Sequence, residues 1–494
     1  MGIVSKQAIK GSIYIYIGVI VGFVTSGILM PKLLDSESIG LIKLITSYSI
    51  LFGQLASLGF VPATTKIFPH FRNKENGHNG FLVISIFVGI LGFIVMLIFF
   101  YLLKDLILAK TQTTSINFGN YIFYVLVIST FTSFFLIIDA YARALYYTST
   151  GIFFKDFVQK VLNLIIVAIY GLGICNFNFF IILFAIINCL PTLLIVIFLI
   201  YKKEFKFRFR LSFLSKDLKK ELIHVSLFGI IASFSGILVI NIDSIMISTL
   251  VGMNAAGIYA TVFYFAYVIT IPYRSMERIT ASVISEFWNK NNISGIFDIY
   301  KRSCVNQAVI ALFLFIMIWC NEHNIFRFLP PEFSNGRYVI LFLGIGNFIN
   351  MASGVNNSII GTSNFYKFQT YVQIILIFLL ILTNYIFIPK WGITGAAFAS
   401  FLSMFIQNFL KYVYILYKFK MQPFDKTFIY IVLLGIGMII INYLLPVLKN
   451  LYFDGIYRSI ILSMLFIYFS YKMTLSEDLN SIIQIYLKKL KLIS

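Results

Sequence analysis

With 494 residues, 60% of them hydrophobic, and only 12% charged, the chain lies outside the composition of soluble globular domains, where about a quarter of residues carry charge. Its apolar runs of about 20 residues suit membrane helices and exclude a barrel of ~10-residue alternating strands, because backbone groups in lipid must be satisfied within the element. The net charge of +20 would suggest nucleic acid for a soluble chain, but here the cations sit in short loops, which points to membrane lipids and to no nucleic-acid partner.

In chain order, Met1 to Lys10 is basic and the apolar run behind it reaches Leu34 without a small-residue cleavage site, so it reads as a retained first helix. Apolar windows predict about fourteen spans. Six lie near 12–34, 39–62, 80–103, 118–138, 152–173 and 178–200. Six more lie near 223–250, 255–273, 303–320, 338–361, 366–388 and 393–415, and two near 427–446 and 455–471. The expected organisation is all-α and polytopic. A six-helix bundle over 1–200 is followed by a basic linker at 201–222 and a second six-helix bundle over 223–416. Helices 13 and 14 fall within 427–472 and an amphipathic tail over 476–494. In that tail Leu479, Ile482, Ile483, Tyr486, Leu487 and Leu490 share one helical face, which predicts a helix lying on the membrane interface.

Lysines and arginines set the direction. One side of this topology holds 29 of them, counting the termini, and the other holds 8. Both termini are therefore expected in the cytoplasm. A repeat supports the two-bundle division. Leu34–Leu41 and Val251–Ile258 join the first and second spans of each half and align with Gly40 over Gly257, an offset of 217. Six spans being an even number, the halves have the same orientation and form a parallel pseudo-repeat. Pro191 and Pro272 fall inside or late in spans and are expected to bend them.

No phosphate-binding loop, zinc-protease motif or hydrolase triad is readable, and His70, His78, His224 and His323 lie in loops or at span ends. Cys175, Cys189, Cys304 and Cys320 lack metal or redox spacing and read as packing residues. The chain is thus expected to be no enzyme and to hold no metal or cofactor. Charges inside spans are the remaining candidates. Asp243 stands alone in the apolar stretch between His224 and Arg274, about 12 Å inside its helix end. It is either a carboxylate hydrogen-bonded to Ser or Asn of a neighbouring helix, or an ion or proton site facing a cavity. Asp139 with Arg143, and Asp156 with Lys160, are spaced i, i+4 with the acid first, the favourable order on a helix. Arg274, Glu277 and Arg278 form a third group near the same membrane face. These are interfacial pairs, or the cationic mouth of a cavity for an anionic group. Lys43, a turn into the second span, either snorkels or adds a cavity cation.

Three motifs carry a family likeness. They are Ile28–Phe71 with Pro31, Gly40, Gly59 and Pro69, then Asn241-Ile242-Asp243 with Gly257-Ile258-Tyr259, and the hairpin Ile388-Pro389-Lys390-Trp391-Gly392-Ile393-Thr394-Gly395-Ala396-Ala397-Phe398-Ala399. Together they resemble the polysaccharide-unit flippases of the multidrug, oligosaccharidyl-lipid and polysaccharide (MOP) exporter superfamily, which includes the O-antigen and capsule repeat flippases. The resemblance implies two six-helix bundles around a cavity, alternating access, and an undecaprenyl-diphosphate-linked glycan as cargo in the bacterial inner membrane. On that reading Arg143, Lys160, Arg274, Arg278 and Lys43 attract the diphosphate and Asp243 couples transport to H+ or Na+. The polysaccharide polymerase machinery would be a partner. The alternatives are a cation-coupled multidrug exporter on the same fold, a peptidoglycan-precursor flippase, a membrane glycosyltransferase, or an assembly scaffold.

Overall fold

A computed structural model describes residues 3–111, 117–207, 213 and 215–489, which contain no strand. Within them, the side chains of 3–9, 110–111, 232, 274–275, 278–279, 482–483 and 486–489 lie outside the description. The chain divides into two compact units, Met1–Ala260 and Thr261–Ser494.

In the first unit α1 (Ile3–Phe23) passes through a π-turn, Val24–Leu29, into α2 (Met30–Leu33). Asp35 accepts the Ser38 N–H and so caps α3 (Ser36–Ala56). Gly59, in the left-handed region at φ 64°, turns the chain into α4 (Phe60–Phe71). Next come α5 (Phe81–Thr111) and α6 (Ile122–Ala144). α7 (Thr148–Ile152) and α8 (Gln159–Gly171) are joined by a second π-turn, Phe153–Val158. α9 (Phe177–Tyr201) and α10 (Lys216–Leu250) follow, and α11 (Met253–Tyr267) crosses the boundary between the units. α10 packs on α3 and α4, so the first unit extends past the basic linker that separates the two bundles in the sequence. The reason is close helix approach. A Cβ on Gly59 would fall 2.1 Å from the Ser226 carbonyl oxygen, and one on Gly40 would fall 2.0 Å from that of Met253. The unit's core is aromatic, with Phe60, Phe68, Phe71, Phe81 and Tyr141 buried together.

In the second unit, α12 (Ile271–Asn289) and α13 (Ile293–Trp319) precede the short α14 (Glu322–Phe328). α15 (Arg337–Ala352) and α16 (Asn356–Thr362) meet at a bend of 51°. α17 runs from Lys367 to Phe419, a length of about 80 Å if straight. It is a hairpin instead: Gly392 leaves the helical region at φ 56°, ψ −133°, and Gln407 donates to Gln373 at 3.4 Å. Aromatic contacts lock the turn, with Phe387 stacked on Trp391 at 5.2 Å. α18 (Lys426–Leu444) and α19 (Leu451–Lys472) pack on α13, and α20 (Glu477–Lys489) closes the chain.

Among the described residues 11 helices are long and apolar enough to cross a membrane, or 12 with the bent pair. Taking the α17 hairpin as two spans, and α7, its π-turn and α8 as one, restores the fourteen expected from hydropathy. Large apolar side chains such as Leu102, Phe378 and Tyr385 remain exposed along these helices, as lipid contact requires. The protein is a multi-pass membrane protein.

Candidate functional site

A cavity of about 190 Å³ opens inside the first unit. Its wall is built on the π-turn Phe153–Val158. An i→i+5 turn widens the helix and brings residues four and five apart onto one face, and Lys155, Asp156, Gln159 and Lys160 all line the cavity. Such turns concentrate at functional positions. Helix α1 holds the turn in place, because Gly18 lies against the Asp156 carbonyl, where a Cβ would fall 1.9 Å from the oxygen. The Lys155 ammonium sits over the Phe135 ring at 5.0 Å from its centroid, a cation–π contact that steadies a charge away from bulk water.

The rest of the lining carries no charge and mixes Ile50, Ile128 and Phe135 with polar groups. Asn188 of α9 accepts from Gln159 Nε2 at 2.6 Å and donates to the Phe184 carbonyl at 2.7 Å. Thr46 of α3 and Thr132 of α6 also line the space. Pro191, expected to bend its span, lies inside α9 at the cavity. It has no N–H, so α9 loses the hydrogen bond to the carbonyl four residues earlier. The arrangement offers two ammonium groups, one carboxylate and several amides and hydroxyls. It can hold an anion and hydrogen-bond a polyhydroxylated neighbour.

Of the residues singled out from sequence, Lys160 lies in this wall. Arg143 is half-exposed at the end of α6 and pairs with Asp139, Nε to Oδ2 3.1 Å; it does not line the cavity. The Asp139 carboxylate faces Gly151, where a Cβ would fall 1.8 Å from its oxygen, so a larger residue there would have to displace the carboxylate. Lys43 is half-buried on α3 and not in the cavity wall. The side chains of Arg274 and Arg278 lie outside the described residues. Asp243 is 6% exposed and accepts the Tyr259 hydroxyl at 2.7 Å. Beside it, Asn241 accepts from Ser47 at 3.1 Å. Lys155 is the cavity cation that sequence reading passed over, because at the edge of a span it counts as a loop charge. Its five-residue spacing from Lys160 is the signal a π-turn would have used.

No protein-family model matches the sequence, and no curated protein is significantly similar to it. Solved structures share its fold. A lipid II flippase in an inward-closed conformation superposes with a TM-score of 0.70 at 16% identity, covering 98% of this chain and 99% of its own. An inward-facing multidrug-resistance transporter of the MATE family gives 0.62 at 15% identity, covering 84% of this chain and 98% of its own. A MOP superfamily transporter from Pyrococcus furiosus gives 0.52 at 14% identity, covering 85% and 96%. The chain has the fold of the MOP superfamily transporters.

Proposed function

We propose that the protein is a flippase that turns an undecaprenyl-diphosphate-linked oligosaccharide unit from the inner to the outer leaflet of the bacterial cytoplasmic membrane by alternating access. The observation that carries this reading is the cavity wall, in which Lys155 and Lys160 stand beside Gln159, Asn188 and Thr132. A diphosphate cannot cross lipid unaided, and two ammonium groups next to neutral hydrogen-bonding groups suit a phosphate joined to a sugar. The similarity to a lipid II flippase over nearly the whole of both chains supports a lipid-linked cargo. It also favours a second reading, in which the cargo is lipid II itself. A cationic-drug exporter fits less well, because the wall carries two cations against the one carboxylate of Asp156. Coupling to H+ or Na+, cytoplasmic termini and cooperation with a polysaccharide polymerase belong to the same proposal.

The test is deletion of the gene, extraction of lipid-linked oligosaccharides, and protection from an added glycosidase in sealed vesicles. Complete repeat units trapped on the cytoplasmic side are expected, and trapped lipid II would select the second reading. Normal delivery with altered sensitivity to cationic drugs overturns both. In complementation, Lys155→Gln with Lys160→Gln should lower export about tenfold to hundredfold at equal protein level, as loss of charged hydrogen bonds worth about 1.5–3 kcal/mol requires.

A further inference from the structure

The second unit has a cavity of its own, about 150 Å³, where the ends of three helices meet. Helices α13 and α18, both long and apolar enough to cross a membrane, finish at Trp319 and Leu444, and α19 begins at Leu451. The cavity thus opens where apolar spans give way to loops, the depth at which Trp and Tyr collect in membrane proteins. Trp319 and Tyr443 both line it. Tyr443, Leu444 and Val447 are exposed, and the exposed Ile436 and Ile440 carry the same apolar strip back along α18 at helical spacing.

The floor of the cavity is already satisfied. Arg458 has five N–H donors, and all are used, on Asp454, on the carbonyl and side chain of Asn442, and on the carbonyls of Leu445 and Pro446. It shapes the cavity and keeps no donor for a ligand. α14 is fastened to the same turn, because Arg327 donates to the Leu448 carbonyl at 3.3 Å and to that of Lys449 at 2.6 Å, and His323 Nε2 meets Asp454 at 2.8 Å.

Glu322 and Arg337 are the charged groups left to meet a ligand. They pair at 2.7 Å through Oε1 and Nη2, with side chains 13% and 47% exposed. Among the described residues Arg337 Nε and Nη1 and Glu322 Oε2 hydrogen-bond no protein atom, and the guanidinium lies 5.9 Å from the centre of the Trp319 ring, a contact that steadies it in the cavity wall. Burial pushes the Glu322 carboxyl up even with Arg337 beside it, so a further cation next to the carboxylate is favourable. Each guanidinium is matched to a carboxylate, Arg458 to Asp454 and Arg337 to Glu322. The cavity therefore has no excess charge to draw in a free anion. It presents a cationic edge and an anionic edge side by side.

We propose that this cavity holds the headgroup of a zwitterionic phospholipid, with the phosphodiester on Arg337, the ammonium against Glu322 and the rings of Trp319 and Tyr443, and the acyl chains along the exposed strip of α18. A phosphodiester carries one negative charge and suits one free guanidinium edge. An ammonium suits both a carboxylate and aromatic faces. A lipid without the ammonium would bring its phosphate beside Glu322 with nothing to offset the repulsion. A soluble zwitterion would leave unused the apolar strip that runs from the cavity into the span. The inference holds whatever the cargo is.

The full chain, purified in detergent and stripped of lipid, is examined by native mass spectrometry with phosphatidylethanolamine, phosphatidylglycerol and soluble glycerophosphoethanolamine as probes. The first phosphatidylethanolamine should bind about tenfold or more tightly than either of the others, as one extra charged contact requires. Arg337→Gln should weaken both phospholipids about tenfold, through the phosphate contact they share. Glu322→Gln, which keeps an acceptor for Arg337, should weaken phosphatidylethanolamine alone and so erase or reverse the preference. A pair that served only to hold α14 against α15 would not separate the two headgroups. Equal binding of the two phospholipids by the unaltered chain, tighter binding of phosphatidylglycerol, equal binding of the soluble headgroup, or a preference that survives Glu322→Gln overturns the proposal. If Arg337→Gln fails to fold, Glu322→Gln decides alone. None of these outcomes bears on the leaflet assay for the cargo.

Discussion

Asp243 shows how little an isolated charge in an apolar helix says until its neighbours are known. It is buried, and a tyrosine hydroxyl donates to it at 2.7 Å. Asn at this position keeps an oxygen acceptor for the Tyr259 hydroxyl, so Asp243→Asn should keep that hydrogen bond while removing the charge, and the response of transport to the ion gradient then tests the carboxylate itself. Asp243→Leu removes that acceptor from a buried hydroxyl and should cost about 1–3 kcal/mol. Loss of gradient response in Asp243→Asn would make the carboxylate a coupling group. A different balance holds at Asp454 and Arg458, both on α19 and at most 2% exposed. Asp454 accepts from Arg458 at 2.7 Å, His323 at 2.8 Å, Asn324 at 2.6 Å and the Leu448 N–H at 2.7 Å. Arg458 in turn donates to the carbonyls of Asn442, Leu445 and Pro446 at the end of α18, where a cation also suits the helix dipole. Arg458→Met strands a buried carboxylate and these carbonyls, and should lower stability by about 3–5 kcal/mol, read as a fall in thermal midpoint. Adding Asp454→Asn should recover part of the loss.

At the scale of elements, the sequence repeat becomes a contact. Gly40 of α3 and Gly257 of α11, aligned in the sequence, face each other: a Cβ on Gly40 would fall 3.2 Å from the Gly257 N, and one on Gly257 would fall 2.9 Å from the Gly40 N. Either glycine replaced by alanine must push the two helices apart, at about 1–3 kcal/mol by the usual cost of overpacking, and thermal unfolding of each variant measures it. The tail helix α20 is held differently. Arg302 and Asn306 of α13 donate to Asp478, and these bonds hold its carboxyl below the usual range. Because the docked value lies below the undocked one, the docking stability is present above the ordinary carboxylate pKa of about 4. It is lost as pH falls through the lowered value. A spin label at Ser481 should therefore gain mobility on acidification, and Arg302→Gln should weaken that pH dependence to the part that Asn306 supplies. Sequence reading recovers these helices because length and hydropathy determine a membrane span, and the Gly392 hairpin because its glycine and small residues fall between two apolar runs. It does not recover the π-turn that assembles Lys155 with Lys160, since a one-residue widening leaves no hydropathy trace. Nor does it recover the hydrogen bonds that run from Lys411 to Asn357 and from Asn357 to Tyr273, whose partners are 54 and 84 residues apart in sequence.

For the molecule as a whole, the number of spans and the direction of the chain are one question, because parity decides on which side the C-terminus falls. Counting only the 11 helices that are long and apolar enough among the described residues would put the termini on opposite sides. Three of the interruptions are local, at the α7–α8 π-turn, at the α15–α16 bend and at Gly392, and each keeps the chain running through apolar sequence. Counting each as part of a span gives fourteen, an even number, and we propose that both termini lie on the side rich in lysine and arginine. The π-turn gives the sharpest check, since it alone separates a continuous fifth span from a re-entrant one. Alkaline phosphatase fused after Gly173, at the exposed turn behind α8, should be active, and green fluorescent protein at the same point dark. Fusions after Asn291, in the turn between α12 and α13, should behave in the opposite way, as should fusions at the C-terminus. An active phosphatase after Asn291 with a dark fluorescent fusion would mean that Thr148–Gly171 enters and leaves by one face. The cationic cavity wall would then be reached from one side only, and alternating access through it would fail.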